Sequence, residues 1–185
     1  LLAAGYPLTG YDLKAELTAD IAGAGGQIAA SVGELVDRCD LICTSLPSSQ
    51  AWVTVAETEI LPQARAGQTV VDFGTVTPPE TRRLASLFAE KDVVLLDAPV
   101  SGGPGGAERA DLYCFVGGAP AAVEEMRPLL QTVAGAEKIT WCGSSGSGQV
   151  VKGVNQLMMG LADAAYLDTQ DLLSVTHPDA SDLRL

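Results

Sequence analysis

The sequence predicts an α/β protein: a mostly parallel sheet with helices on both faces, leading into one long helix. Three observations carry this expectation. Apolar runs of strand length alternate with amphipathic segments of helix length, the mark of repeated β-α-β units. Three of the apolar runs are continuous rather than alternating, as strands covered on both faces must be. The last helical segment, from about 147 to 174, has no strand after it and reads as a connection out of the α/β domain.

The elements follow in order along the chain. LLAAGYP reads as the end of a helix, and since the first residue is Leu rather than Met, a missing N-terminal segment is expected. The candidate strands are PLTGYD (7–12), DLICTSLP (40–47), QTVVDFGT (68–75), DVVLLDAPV (92–100), LYCFVGG (112–118) and KITWCG (138–143). The candidate helices are 14–24, 31–39, 49–65, 78–91, 119–134 and 147–174. Thr77-Pro78-Pro79-Glu80 reads as an N-cap with proline in the first turn. THPDASDLRL, the last ten residues, is polar and expected to fray. The expected organisation is a nucleotide-binding domain over 1–145 and the start of an all-helical domain over 146–185.

The bulk numbers narrow the classes of function. The chain has 185 residues, 47% of them hydrophobic, enough to bury a core. A net charge of −12 and a pI of about 4.3 argue against nucleic acid and against an anionic membrane surface. Small anions stay open, because local backbone dipoles and single cations hold them. No apolar run reaches the roughly 20 residues of a transmembrane helix, and no signal peptide is visible. Cys39, Cys43, Cys114 and Cys142 lack CxxC spacing and read as reduced, buried thiols of a cytoplasmic protein. His177 is the lone histidine, and no metal site is expected.

In an open α/β sheet, ligands bind beyond the carboxyl ends of the strands. Three strands here end in TSLPSS, DFGTVTPP and DAPVSGGPGG. Any one of these is ordinary turn chemistry; three at equivalent strand ends point to a site. SGGPGG (101–106) has four glycines in six residues, which suits the approach of a carboxylate or phosphate to backbone amides. No Gly-Lys-Ser/Thr follows, so it is not a Walker loop. Asp12 ends the first strand, where an acid either caps a helix or holds a ribose hydroxyl.

Lys152 is one of only four lysines and stands in GSGQVVKGVNQLMMG (146–160), with no other charge between Lys138 and Asp163. At helical spacing it shares a face with Asn155, Gln156 and Met159. A lysine is usually just solvated, yet exposed helix faces are charge-rich and this one is not. Among apolar neighbours, its ammonium form is disfavoured and its pKa falls from about 10.4. Such a lysine can exchange protons near neutral pH. Hydrolase motifs fail: GSSGSG has no GxSxG register, and Gln149 stands where SxxK needs a serine.

Together these pieces resemble the β-hydroxyacid dehydrogenase family, which includes 3-hydroxyisobutyrate dehydrogenase and tartronate semialdehyde reductase. DAPVSGGPGGAERADLYCFVGG is similar to its substrate-binding signature, SGSGQVVKGVNQ to its catalytic-lysine signature, and TSLPSS and VVDFGTVTPPET to its two cofactor loops. The likeness runs from about residue 1 to 175. It implies a Rossmann-like domain and an NAD cofactor, with NADP as the alternative. It implies Lys152 as general acid/base, and Ser101, Gly102 and Gly103 on the substrate carboxylate. Asn155 and Gln156 would contact substrate, Leu46, Pro47 and Thr75 would line the nicotinamide site, and Asp12 would face the adenosine ribose. No Arg follows Asp12, which favours NAD.

The family's opening strand and GxGxxG loop would precede Leu1, and most of its helical second domain would follow the long helix. The chain is therefore expected to be a piece of a longer enzyme. Its expected partner is a small hydroxyacid, with homo-oligomerisation of the full-length parent and no nucleic acid or membrane. Asn155-Gln156 stands where many members have two Asn; this variant also occurs in the family, notably among tartronate semialdehyde reductase-like members, and so blurs the substrate. The other classes weighed are a non-catalytic fragment with a dinucleotide-binding fold, and an imine reductase, which usually replaces the lysine.

Overall fold

The computed structural model describes residues 1–176, and 177–185, including His177 and most of the expected polar tail, lie outside them. Two compact units divide the chain, Leu1–Lys152 and Gly153–Leu185. In the first, β1 (Thr9–Gly10) and β2 (Gln27–Ile28) form a parallel pair of their own. The other strands make one six-stranded sheet. Its order is β3 (Leu41–Thr44), β4 (Thr69–Asp72), β5 (Val94–Asp97), β7 (Leu112–Gly117) and β6 (Val100–Ser101), with β8 (Ala134–Gly143) also on β7. Pairs β3–β4, β4–β5 and β7–β8 are parallel; β5–β7 and β6–β7 are antiparallel.

The helices are α1 (Ala19–Gly23), α2 (Val32–Arg38), α3 (Ser49–Val55), α4 (Leu61–Gln63), α5 (Pro78–Ala89), α6 (Gly103–Glu108), α7 (Pro120–Leu130) and α8 (Ser147–Thr176). The continuous apolar strands are covered on both faces, and neighbouring residues report it. Val70 and Leu95 join a core with Val36 of α2, Trp52 of α3, and Leu84 and Phe88 of α5. Val71 and Leu96 point the other way, into a core with Val123, Leu129 and Leu130 of α7. This is the period-2 geometry of a strand with no solvent side.

Local chemistry sets the helix starts. Ser31 Oγ accepts from Glu34 N at 3.1 Å, and Glu34 returns a bond to Ala30 N at 2.7 Å. Ser48 Oγ accepts from Ala51 N at 3.1 Å. Thr77 takes the N-cap place of α5 but makes no side-chain cap bond. Pro78 and Pro79 follow it, so the first two helical positions have no N–H to donate to its Oγ1.

The expected helix over 49–65 is interrupted by a π-helical turn, Ala56–Ile60, between α3 and α4. Pro62 lacks a donor and its ring crowds the carbonyl four residues back, and the wider turn relieves that conflict. Gln68 is buried and ties α2 to this region: Nε2 donates to Val36 O (2.8 Å) and Cys39 O (2.7 Å), and Oε1 accepts from Arg65 N (2.7 Å).

Other details depart from the sequence expectation, and the expected strand 92–100 is split into β5 and β6. The first strand stops at Gly10, so Asp12 stands two residues beyond it. β2 was not expected, because two residues are too few to show a period. SGGPGG is not an open loop: Gly102 caps α6 at φ 135°, and Gly103–Glu108 is helical. Cys114 is buried and Cys39 and Cys142 are partly so, but Cys43 is exposed, because β3 is an edge strand and Cys43 alternates with inward Ile42.

Candidate active site

Three parallel strands end level with one another. Thr44, Asp72 and Asp97 are the last residues of β3, β4 and β5 and are partners in register. The Asp72 carboxylate accepts from Thr44 Oγ1 and from Gly74 N, both at 3.0 Å and both through Oδ1, while buried Oδ2 has no partner. Its pKa is raised to about 6, by burial first and by the charge of Asp97, against the two hydrogen bonds.

Asp97 holds the start of α8. Its Oδ1 accepts from Gly146 N at 2.7 Å and its Oδ2 from Gln149 N at 3.1 Å, so an anion sits at the helix N-terminus, where the peptide dipoles favour it. Burial raises the Asp97 pKa against these bonds. Gly148 lets the helix come this close. A Cβ there would strike Phe115 O and lie 2.8 Å from Asp97 Oδ2.

The loops after β3 and β4 meet above the strand ends. Gly74 is buried, and a Cβ on it would lie 3.6 Å from Leu46 O. Thr77 N donates to Ser49 Oγ at 3.2 Å. Gln149, 3% exposed, reaches from α8 into the second loop: Oε1 accepts from Val76 N at 3.0 Å and Nε2 donates to Gly74 O at 2.9 Å. Thr75, between two buried residues, and Pro47 are left exposed at this edge, and Leu46 is half-buried.

Lys152 lies one helical turn beyond Gln149 and is 7% exposed. Burial lowers its pKa below the ordinary lysine value, the direction that the apolar sequence context predicts. An ammonium in such a place gives up its proton more readily than one in water. Lys152 thus stands one turn after the residue that holds the loop following β4.

The other sequence-predicted residues fall into three places. Ser101 ends β6 opposite Tyr113 of β7, and Gly102 and Gly103 start α6 with φ of 135° and 63°, which favour glycine. Asp12 is exposed in a local turn, its Oδ1 accepting from Lys14 N at 2.8 Å. Asn155 and Gln156 belong to the second unit, where Asn155 Nδ2 lies 3.6 Å from Met159 Sδ. Among the described residues, no group of three or more His, Cys, Asp or Glu is placed to hold a metal. No helix of the described residues is long and apolar enough to cross a membrane.

Sequence reasoning missed Asp72, Asp97 and Gln149. A signal for the first two existed: VVD and VLLD each put a carboxylate at the end of a buried run, where it must find donors. Gln149 had no such mark, since its partners are 73 and 75 residues away.

Comparison with known proteins adds the following. The family described as the NAD binding domain of 6-phosphogluconate dehydrogenase matches residues 1–143. Mouse mitochondrial 3-hydroxyisobutyrate dehydrogenase is 32% identical over 93% of this chain and 51% of its own length. The 2-(hydroxymethyl)glutarate dehydrogenase of Eubacterium barkeri is 34% identical over 90% of this chain and 57% of its own. A solved structure of the Mycobacterium tuberculosis 3-hydroxyisobutyrate dehydrogenase with L-serine superposes with a TM-score of 0.81 at 29% identity, covering 95% of this chain and 64% of that one. The chain thus spans about half the length of the curated relatives it matches.

Proposed function

The chain belongs to the family of the NAD binding domain of 6-phosphogluconate dehydrogenase, and from that premise we propose that it is the cofactor-binding, lysine-bearing part of an NAD(P)-dependent β-hydroxyacid dehydrogenase. The observation that carries the reading is Lys152: buried, with a lowered pKa, on the turn after a helix start that Asp97 and Gln149 hold to the strand ends.

The residues suit a nicotinamide dinucleotide. Exposed Thr75 and Pro47 offer a surface at the strand ends, where open α/β sheets bind their ligands. Exposed Asp12 suits a ribose hydroxyl better than a phosphate, which favours NAD over NADP. When bound, the nicotinamide supplies the hydride acceptor.

This chain's residues supply the rest. Ser101, Gly102 and Gly103 would hold the substrate carboxylate, and Asn155 and Gln156 would orient the substrate. Lys152, neutral, takes the hydroxyl proton as hydride leaves the same carbon, and returns it in the reverse reaction. Burial is what makes the neutral amine available.

The substrate class follows from the chemistry of the relatives' ligands. 3-Hydroxyisobutyrate, 2-(hydroxymethyl)glutarate and L-serine each carry a primary alcohol on the carbon next to the carboxylate-bearing carbon. We assign the same element to this chain's substrate, which becomes an aldehyde. The second reading, which the Asn155-Gln156 pair leaves open, is the reduction of tartronate semialdehyde. The third alternative is a non-catalytic fragment with the dinucleotide-binding fold.

The test is NADH titration followed by energy transfer from the tryptophans, then turnover with 3-hydroxyisobutyrate, L-serine and glycerate. In the longer parent enzyme, wild type should bind NADH saturably and, with NAD as oxidant, turn over one of these hydroxyacids; this chain by itself is expected to bind dinucleotide poorly. Lys152→Ala should bind NADH equally and lose turnover by about 10²-fold or more. Unchanged turnover in Lys152→Ala would remove the lysine from the mechanism. NADH binding without turnover of any hydroxyacid favours the non-catalytic reading.

A further inference from the structure

We infer that Gln149 is a positioning residue for proton transfer at Lys152, because its one amide grips both Val76 N and Gly74 O and so ties the exposed Thr75 edge to the helical turn that carries the lysine. The inference rests on the proposed function for the chemistry it serves; the clamp itself rests on geometry. Gln149 is buried, as are Gly74, Val76 and Lys152, while Thr75 between the two gripped residues is exposed. The side chain therefore does not merely fill a gap. It presents a donor to the carbonyl of the first residue and an acceptor to the amide of the last in the three-residue arch Gly74-Thr75-Val76.

The arch is held from below as well. Gly74 N donates to Asp72, and Gly74 packs on the backbone of Leu46. The helix side is held by Asp97, which accepts from Gly146 N and from the backbone N of Gln149 itself. Gln149 is the side chain that joins the two held parts. Residues 149 and 152 are neighbours on one helix face, so a shift of the arch relative to that face changes the distance between Lys152 and anything seated on Thr75. A misplacement of about 1 Å at a reacting centre is enough to cost a large factor in rate.

Gln68 shows what a purely structural glutamine of the same kind looks like here: it also uses both ends of its amide, but within the α2–β4 region and away from the lysine. The two roles are separable. If Gln149 only fills space, a volume-matched apolar side chain replaces it. If its two hydrogen bonds hold the arch against the start of α8, that replacement frees the arch and lets water reach the turn that carries the lysine.

The experiment is Gln149→Leu, with Gln149→Ala and Gln149→Glu beside it, in the full chain. The first readout is the titration midpoint of Lys152, followed by NMR of lysine labelled at Cε, with Lys152→Arg assigning its signal among the four lysines. Leu and Ala should raise the midpoint by about half a pH unit or more as desolvation is relieved. Glu offers an isosteric second variant should Leu or Ala fail to fold. Ionised, it accepts from Val76 N but opposes the Gly74 carbonyl; protonated, it can make both bonds. At the pH where a lysine titrates the Glu is ionised, so the midpoint should rise, through the lost Gly74 bond and through the added carboxylate charge.

The second readout is kcat against KM with NAD and hydroxyacid: kcat should fall by about tenfold or more with little change in KM for NAD. A Lys152 midpoint unchanged in Gln149→Leu would overturn the inference. A parent enzyme that turns over no hydroxyacid would instead sink the functional reading, while the midpoint would still decide the clamp.

Discussion

Asp72 and Asp97 stand opposite one another at the ends of β4 and β5, and each turns its carboxylate onto a different part of the site. Asp72 holds the loop through Gly74 N, and Asp97 holds the start of α8 through Gly146 N and Gln149 N. Burial first, and the charge of Asp97 with it, make Asp72 hold its proton more tightly than a free carboxyl does. The backbone bonds that the two carboxylates make bring loop and helix to the same edge of the sheet. Both consequences can be measured.

Asp72 makes stability depend on pH. Its native pKa of about 6 lies above the unfolded value of roughly 3.9, so the native state binds the proton more tightly. The contribution is fully present below pH of about 3.9 and is lost as pH rises through about 6. Two units correspond to about 3 kcal/mol at most. Exposed carboxylates with lowered pKa values, such as Glu34 and Glu124, act with the opposite sign, so the comparison must be with a variant. Relative to Asp72→Asn, wild type should lose stability between pH 4 and 6 in chemical denaturation. A difference that stays flat across this window would exclude the assignment.

Gly148 and Gly153 should respond in opposite directions to the same substitution. A Cβ on Gly148 runs into Phe115 O and Asp97, so Gly148→Ala should destabilise the fold by about 1–3 kcal/mol. Gly153 has open space around its Cβ position, so Gly153→Ala should stabilise the helix by roughly 0.5–1 kcal/mol. Urea midpoints of the two variants decide this directly.

The helix α8 carries Val154, Leu157, Met158 and Leu161 at i, i+3, i+4 and i+7, each more than half exposed. An apolar stripe of this kind seeks cover. We predict concentration-dependent association, read as mass by light scattering. Leu157→Glu with Leu161→Lys should reduce it while leaving the helical signal intact. Wild type that stays monomeric at high concentration would contradict this.

Much of the architecture was legible in the sequence because it is written in local patterns. VVD and VLL are apolar on both parities, and the structure buries Val70 and Leu95 in one core and Val71 and Leu96 in the other. Ser31 and Ser48 announce helix starts within three residues of their partners. Other features were not legible. Thr9–Gly10 and Gln27–Ile28 pair over two residues each, too few to show a period. SGGPGG reads as a loop by composition, yet Gly102 lets the chain turn directly into α6.

For the site, the sequence by itself determined the candidates: a lysine with no carboxylate near it in the chain, at the start of a long helix, and turns of small and hydroxyl residues after three strands. Burial of Lys152 to 7% exposure accords with that reading. Only the tertiary structure decided what holds the lysine in place. Asp97 meets Gly146 across 49 residues and Gln149 meets Gly74 across 75, and no periodicity or spacing encodes a partner at such distance. Those contacts exist because parallel strands bring residues far apart in sequence to one edge, and buried polar groups there must satisfy one another.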